Sequence, residues 1–100
     1  MRLRYTLPAL ADLESILDYV VDRSPQGASR IHARIRAVTD LLLRYPRAGA
    51  VTDDPKIRRV TTTPYPYLVF YEATDAEIII LQCATARAIR PTIQDRGEPS

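Results

Sequence analysis

One cysteine and one histidine stand in the whole chain of 100 residues. A lone thiol, Cys83, excludes an internal disulfide framework and any cysteine-rich zinc site. It falls in an apolar strand run, where a buried, inert thiol is expected. His32 lies on the flank of a helical apolar stripe, far in sequence from the strand-borne cations. It reads as a surface or boundary residue, and no metal or cofactor is expected. Three glycines form no glycine-rich phosphate loop. No apolar run approaches the ~20 residues of a membrane span. Met1-Arg2-Leu3-Arg4-Tyr5 leads directly into folded-looking sequence without a secretory signal, so a cytoplasmic protein with no membrane contact is expected. A net charge of +2 supplies no global field toward nucleic acid.

What the chain does have is apolar patterning. Its 46% hydrophobic content suits one ordinary domain with one modest core. The densest run is Tyr65-Pro66-Tyr67-Leu68-Val69-Phe70-Tyr71. It alternates as a strand, with Tyr65, Tyr67, Val69 and Tyr71 on one face and Leu68 and Phe70 on the other. The short loop 73–76 leads to Glu77-Ile78-Ile79-Ile80-Leu81, which continues through Gln82-Cys83-Ala84-Thr85. Together they predict a central antiparallel hairpin with two apolar faces.

The flanking segments read as helices and edge strands. Arg2-Leu3-Arg4-Tyr5 is a short alternating strand. Thr6 is an N-cap with Pro8 in the first turn, and Leu10, Leu13, Leu17 and Val20, widened by Ile16 and Val21, form one stripe of a helix ending near Arg23. Ser24-Pro25 starts a second helix. Its stripe is Ala28, Ile31, Ile35, Val38, Leu42 and Tyr45, and Tyr45-Pro46 ends it. The link is so short that the two helices must form an antiparallel hairpin, acidic on the first helix and basic on the second. Residues 47–55 read as a loop and Lys56–Thr62 as a basic strand, in which Arg58 and Arg59 point to opposite faces. The prediction is an α+β two-layer fold of order β-α-α-β-β-β, a helical hairpin on a small, mainly antiparallel sheet. One domain spans 1–93, with a polar, flexible tail at 94–100. The second sheet face is left for a partner.

This order resembles the RelE/ParE toxin superfamily. The resemblance rests on the helix start Thr6-Leu7-Pro8-Ala9-Leu10-Ala11-Asp12-Leu13, on Tyr45-Pro46-Arg47-Ala48-Gly49, on Ile57-Arg58-Arg59 and on the Tyr65–Tyr71 strand, and it runs from Arg2 to about Pro91. The Ala-x-x-Asp-Leu helix start and the Tyr-Leu-Val-Phe-Tyr strand are similar to ParE-like members. The resemblance implies a bacterial type II toxin neutralised by a ParD-like antitoxin in a hetero-oligomer. ParE-like members inhibit DNA gyrase, and RelE-like members cut messenger RNA in the ribosome. It also implies antitoxin contact along the hairpin and sheet at Leu13, Leu17, Tyr67, Val69 and Tyr71. Operator DNA would be reached only through the antitoxin.

Metal-free RNA cleavage needs a base, an acid and a cation on the phosphate. The strands supply Lys56, Arg58, Arg59, Arg87 and Arg90 as cations, with Tyr71, Glu72 and Lys56 as acid–base candidates. Tyrosine ionises near pH ~10 and is a poor base. Ala84 and Thr85 stand where the resemblance places an ionisable residue at the end of the last strand, whereas Arg87 matches the arginine beyond it. The leading expectation is therefore a gyrase inhibitor without catalytic residues, contacting its target through Arg58, Arg59, Arg87 and Arg90. A ribonuclease using Arg59, Tyr71 and Arg87, and an attenuated toxin that only binds antitoxin, are the alternatives.

Overall fold

Two hydroxyl caps set the helix boundaries. In the computed structural model, which describes residues 1–85, α1 spans Leu7–Arg23 and α2 spans Pro25–Arg44. Thr6 Oγ1 accepts a hydrogen bond from Ala9 N at 3.2 Å, and Ser24 Oγ accepts one from Gly27 N at 2.9 Å. Each cap satisfies an amide that the first turn leaves without a helical partner. The Ser24 amide also donates to Val20 O at 2.7 Å, so one residue closes α1 and opens α2. The chain has no room to do anything but reverse.

Five strands complete the domain: β1 (Arg2–Tyr5), β2 (Ala50–Val51), β3 (Arg58–Thr62), β4 (Tyr65–Ala73) and β5 (Glu77–Thr85). They form one sheet in the order β1-β5-β4-β3-β2. β1 runs parallel to β5 and every other pairing is antiparallel. The two-layer α+β architecture is as the patterning predicts. Two details differ. The loop at 47–55 contains the two-residue strand β2, which has no apolar alternation to announce it. β3 begins at Arg58 rather than Lys56, because Asp54 holds a turn there: its Oδ1 accepts from Lys56 N and its carbonyl accepts from Ile57 N, both at 2.9 Å.

Both helices pack on one face of the sheet. The main core joins Ala9, Val38 and Leu42 to Val69, Tyr71, Ile78, Ile80 and Cys83. A second cluster gathers Ile31, Ile35 and Tyr67 with Leu13, Leu17, Val20 and Tyr65. Each large aliphatic side chain buried here contributes about 1.5–3 kcal/mol. The stripe of α2 is as expected except at Tyr45, which is exposed. In α1 the stripe holds at Leu13, Ile16, Leu17 and Val20 and differs at its ends, where Leu10 and Val21 are exposed. Ala9 is fully buried, whereas Leu10 is 42% exposed. A small side chain at position 9 lets the first turn of α1 sit close on the sheet.

A bulge decides which side of β5 faces the helices. Phe70 pairs with Gln82 but Tyr71 pairs with Ile80, so Leu81 has no partner. Strict alternation from Ile78 and Ile80 would turn Gln82 inward. The extra residue turns Cys83 inward instead and leaves Gln82 exposed.

The second sheet face is less bare than the two-sided apolar pattern predicts. Leu68 is 8% exposed, and Phe70, Ile79 and Leu81 are half-buried. Among the described residues, the exposed large apolar side chains are Met1, Leu7, Leu10, Tyr19, Val21, Leu41, Tyr45 and Val51. None belongs to β4 or β5. In a short twisted sheet, neighbouring side chains on one face shield one another.

Leu42→Ala should cost about 2–5 kcal/mol of unfolding free energy. Leu10→Ala should cost less than about 1 kcal/mol, because its side chain is already largely in water. Urea denaturation of both variants checks the placement of the α1 stripe.

Candidate functional site

The hydrogen-bonding edge of β5 passes from strand to helix. β1 ends at Tyr5, opposite Ile80. From there Thr6 N donates to Ile80 O at 3.0 Å and Thr6 Oγ1 donates to Leu81 O at 3.4 Å. Cys83 N then donates to Asp12 Oδ2 at 3.1 Å. Asp12 thus satisfies a strand amide rather than a helix end. Ala9, Asp12 and Leu13 act as a unit: close approach, edge cap and cluster contact. Nothing in the local sequence signals that the partner of Asp12 is an amide 71 residues away.

A second construction ties the loop after α2 to the sheet. The Tyr71 hydroxyl donates to Pro46 O at 2.8 Å and accepts from Gly49 N at 2.9 Å. Arg58 donates to Gly49 O at 2.8 Å and to Arg47 O at 3.4 Å. A Cβ at Gly49 would lie 2.7 Å from the Tyr71 ring and hydroxyl and 2.9 Å from Arg59 O, so this close approach requires glycine. Tyr71 is completely buried. Burial pushes its phenol above the usual tyrosine range, and the Gly49 amide and the Arg58 charge only partly offset this.

The proposed site residues therefore separate. Arg58 pairs with Tyr71 on the helix-bearing side, while Arg59 pairs with Phe70 on the opposite side. The Arg58 guanidinium is held by loop carbonyls. That of Arg59 has no hydrogen-bond or ion-pair partner among the described residues. Tyr71 and Arg59 do not converge, and a neutral phenol bonded on both sides is not placed to take a proton from a ribose. Glu72 is on the Arg59 side, opposite Ile79. Arg87 and Arg90 lie outside the described residues. His32 is exposed on α2.

Of the residues expected to meet an antitoxin, Val69 and Tyr71 offer no surface, at 1% and 0% exposure. Leu13 and Leu17 are half-buried at the cluster around Tyr67. Beside them is a groove of about 330 Å³ lined by Ser15, Ile16, Tyr19, Tyr67 and Thr85. Tyr19 is a wall that sequence reasoning missed. It is largely exposed, with the Arg23 guanidinium 3.8 Å over its ring.

The comparisons with known proteins now bear on this arrangement. Residues 3–87 match the family described as the ParE toxin of the type II toxin–antitoxin system parDE. The chain belongs to the ParE toxin family. This toxin is 33% identical over 84 residues to the protein Y4kP of Sinorhizobium fredii, which covers 83% of the chain and 88% of that relative. It is 33% identical over 78 residues to toxin RelE2 of Caulobacter vibrioides, covering 78% and 86% respectively. A solved chain from the chromosomal ParDE TA system of P. aeruginosa superposes with a TM-score of 0.73 at 27% identity, covering 85% of this toxin and 95% of that chain. Family membership implies an antitoxin partner. Among the described residues no helix is long and apolar enough to cross a membrane.

Two measurements test the site. Tyr71→Phe leaves the Gly49 amide and the Pro46 carbonyl without their partner and should cost about 1–3 kcal/mol, read by urea denaturation. Alkaline stability tests the buried acids. Burial, with the Asp12 carboxylate nearby, pushes the Cys83 thiol up from 9.0 to about 12. Tyr5 is raised as well, first by burial and then by Cys83, partly offset by Arg36. The unfolded chain releases these protons first, so the native state holds more protons and stability falls as pH rises from 9.0 toward about 12. Cys83→Ala should flatten the decline in melting temperature over that range.

Proposed function

We propose that this toxin acts by protein–protein contact with DNA gyrase, without catalytic residues of its own, and is neutralised by a cognate ParD-like antitoxin. The observation that carries this reading is the commitment of the Tyr71 hydroxyl to Pro46 O and Gly49 N inside the core. The tyrosine that the ribonuclease alternative would use is a structural tie. Arg58 supports the same tie. Arg59, on the other sheet face and without a hydrogen-bond or ion-pair partner among the described residues, is the described arginine suited to meeting a target, together with Arg87 and Arg90. The antitoxin contact belongs to Leu13, Leu17 and Tyr67 along the groove between α1 and the end of β5. Val69 and Tyr71 support that wall from behind. An amphipathic segment would place apolar side chains against Tyr19 and Tyr67 there.

A second reading is ribosome-dependent cleavage of messenger RNA. The likeness to a relative named RelE2 favours it. In that case Arg59 and Arg87 would hold the phosphate and Glu72 would move the proton.

Purified toxin should inhibit supercoiling by gyrase and leave ribosome-bound messenger RNA intact. Arg59→Ala should raise the concentration needed for inhibition by about tenfold, the loss of one charged contact worth ~1.4 kcal/mol. Cleavage of messenger RNA with unaffected gyrase would establish the second reading. Absence of both activities, with antitoxin binding retained, would identify an attenuated toxin.

A further inference from the structure

The two helices carry opposite charge on the sides turned away from the sheet. α1 has Asp12, Glu14, Asp18 and Asp22 against Arg23, a net of −3. α2 has Arg30, Arg34, Arg36 and Arg44 against Asp40, a net of +3. Asp12 is turned to β5 and Arg23 is held at Tyr19. Among their exposed residues, α1 presents Glu14, Asp18 and Asp22 with Leu7, Leu10 and Val21. α2 presents Arg30, Arg34, Arg36 and Arg44 with Ala33, Ala37 and Leu41, and one acid, Asp40, stands among them. Among the described residues no ion pair joins the helices.

The spacing makes the rows complementary to themselves. Ser24 is the turning point of the hairpin. Asp18 and Arg30 each lie six residues from it, Glu14 and Arg34 each lie ten, and Leu7 and Leu41 each lie seventeen. At about 1.5 Å per residue, each pair stands at one height along the hairpin. A two-fold axis parallel to the helices, above the groove between α1 and α2, would preserve that height. It would lay α1 of each copy on α2 of the other. Each acid would then meet an arginine, and each Leu7 a Leu41, twice over.

We infer that the outer face of the helical hairpin is an isologous interface through which two copies of this toxin associate. Self-complementarity is the requirement for such an interface, and matched rows at matched heights satisfy it. A polyanion such as duplex DNA fits less well. The acidic row of α1 lies about 8–10 Å from the basic row, within a Debye length, and would repel it. The face is about 25 Å long and 20 Å wide, or about 1,000 Å² in total for two copies, at the lower bound of specific interfaces. The pair is therefore weak, reversible and dependent on salt.

Sedimentation equilibrium of the full-length chain tests this. The mass should rise from 11.3 kDa toward twice that with increasing concentration at about 50 mM salt and remain monomeric at about 500 mM. Two double variants, Arg30→Glu/Arg34→Glu and Glu14→Arg/Asp18→Arg, should each be monomeric, since like charges then face one another. Their equimolar mixture should recover the dimer, because each supplies the row the other needs. Where a double variant loses its helical circular dichroism, the single variants Arg30→Glu and Asp18→Arg perform the same exchange. A wild-type chain that stays monomeric at low salt, or a mixture that does not associate, overturns the inference. So does binding of duplex DNA, or of antitoxin alone, that is lost in one variant and not restored in the mixture.

Discussion

The contact between the helical hairpin and one face of β4 and β5 is the constraint on which the other parts of the molecule depend. It buries Val38 and Leu42 against Val69, Tyr71, Ile78 and Ile80. A domain this small has one such core and little to spare. The contact is possible because Ala9 is small, because Ser24 reverses the chain in one residue, and because the bulge at Leu81 turns Cys83 rather than Gln82 inward. β1 completes the sheet on one side only as far as Tyr5. The first turns of α1 then do a strand's work, with Thr6 and Asp12 satisfying β5.

The same core explains the division of labour between Arg58 and Arg59. Adjacent strand residues face opposite sides, so one arginine joins the loop after α2 and the other stands on the second sheet face. Tyr71 lies under that loop, and Gly49 comes close enough to meet its hydroxyl. An acid–base candidate becomes a tie when its oxygen has a donor and an acceptor on either side and its side chain is fully buried. The exposed large apolar side chains among the described residues lie outside the central strands β4 and β5.

Electrostatics separates the two helices in a way that stability does not require. Exposed ion pairs across the hairpin would each contribute only ~0–1 kcal/mol. The rows are instead exposed, with no ion pair between them among the described residues. Acid and base at equal heights on neighbouring helices suit a second copy of the same surface better than a uniformly charged partner.

Periodicity and capping determined most of the architecture without any coordinates. Thr6, Ser24-Pro25 and Tyr45-Pro46 mark the helix ends, and the stripe from Ala28 to Leu42 marks the buried side of α2. The alternation of Tyr65–Tyr71 marks the central strand, and the family resemblance follows from these in order. These signals are local: each needs only a cap, a period or a turn residue. What the tertiary structure decided is everything joined across long sequence separations. It placed Ala9 rather than Leu10 against the sheet, and β1 parallel beside β5. It gave Asp12 to the amide of Cys83, and the hydroxyl of Tyr71 to Pro46 and Gly49. It also set which of Arg58 and Arg59 is held by the loop carbonyls. A hydrogen bond between residues 22 or 71 positions apart leaves no trace in local pattern, because its geometry exists only once the helices have docked.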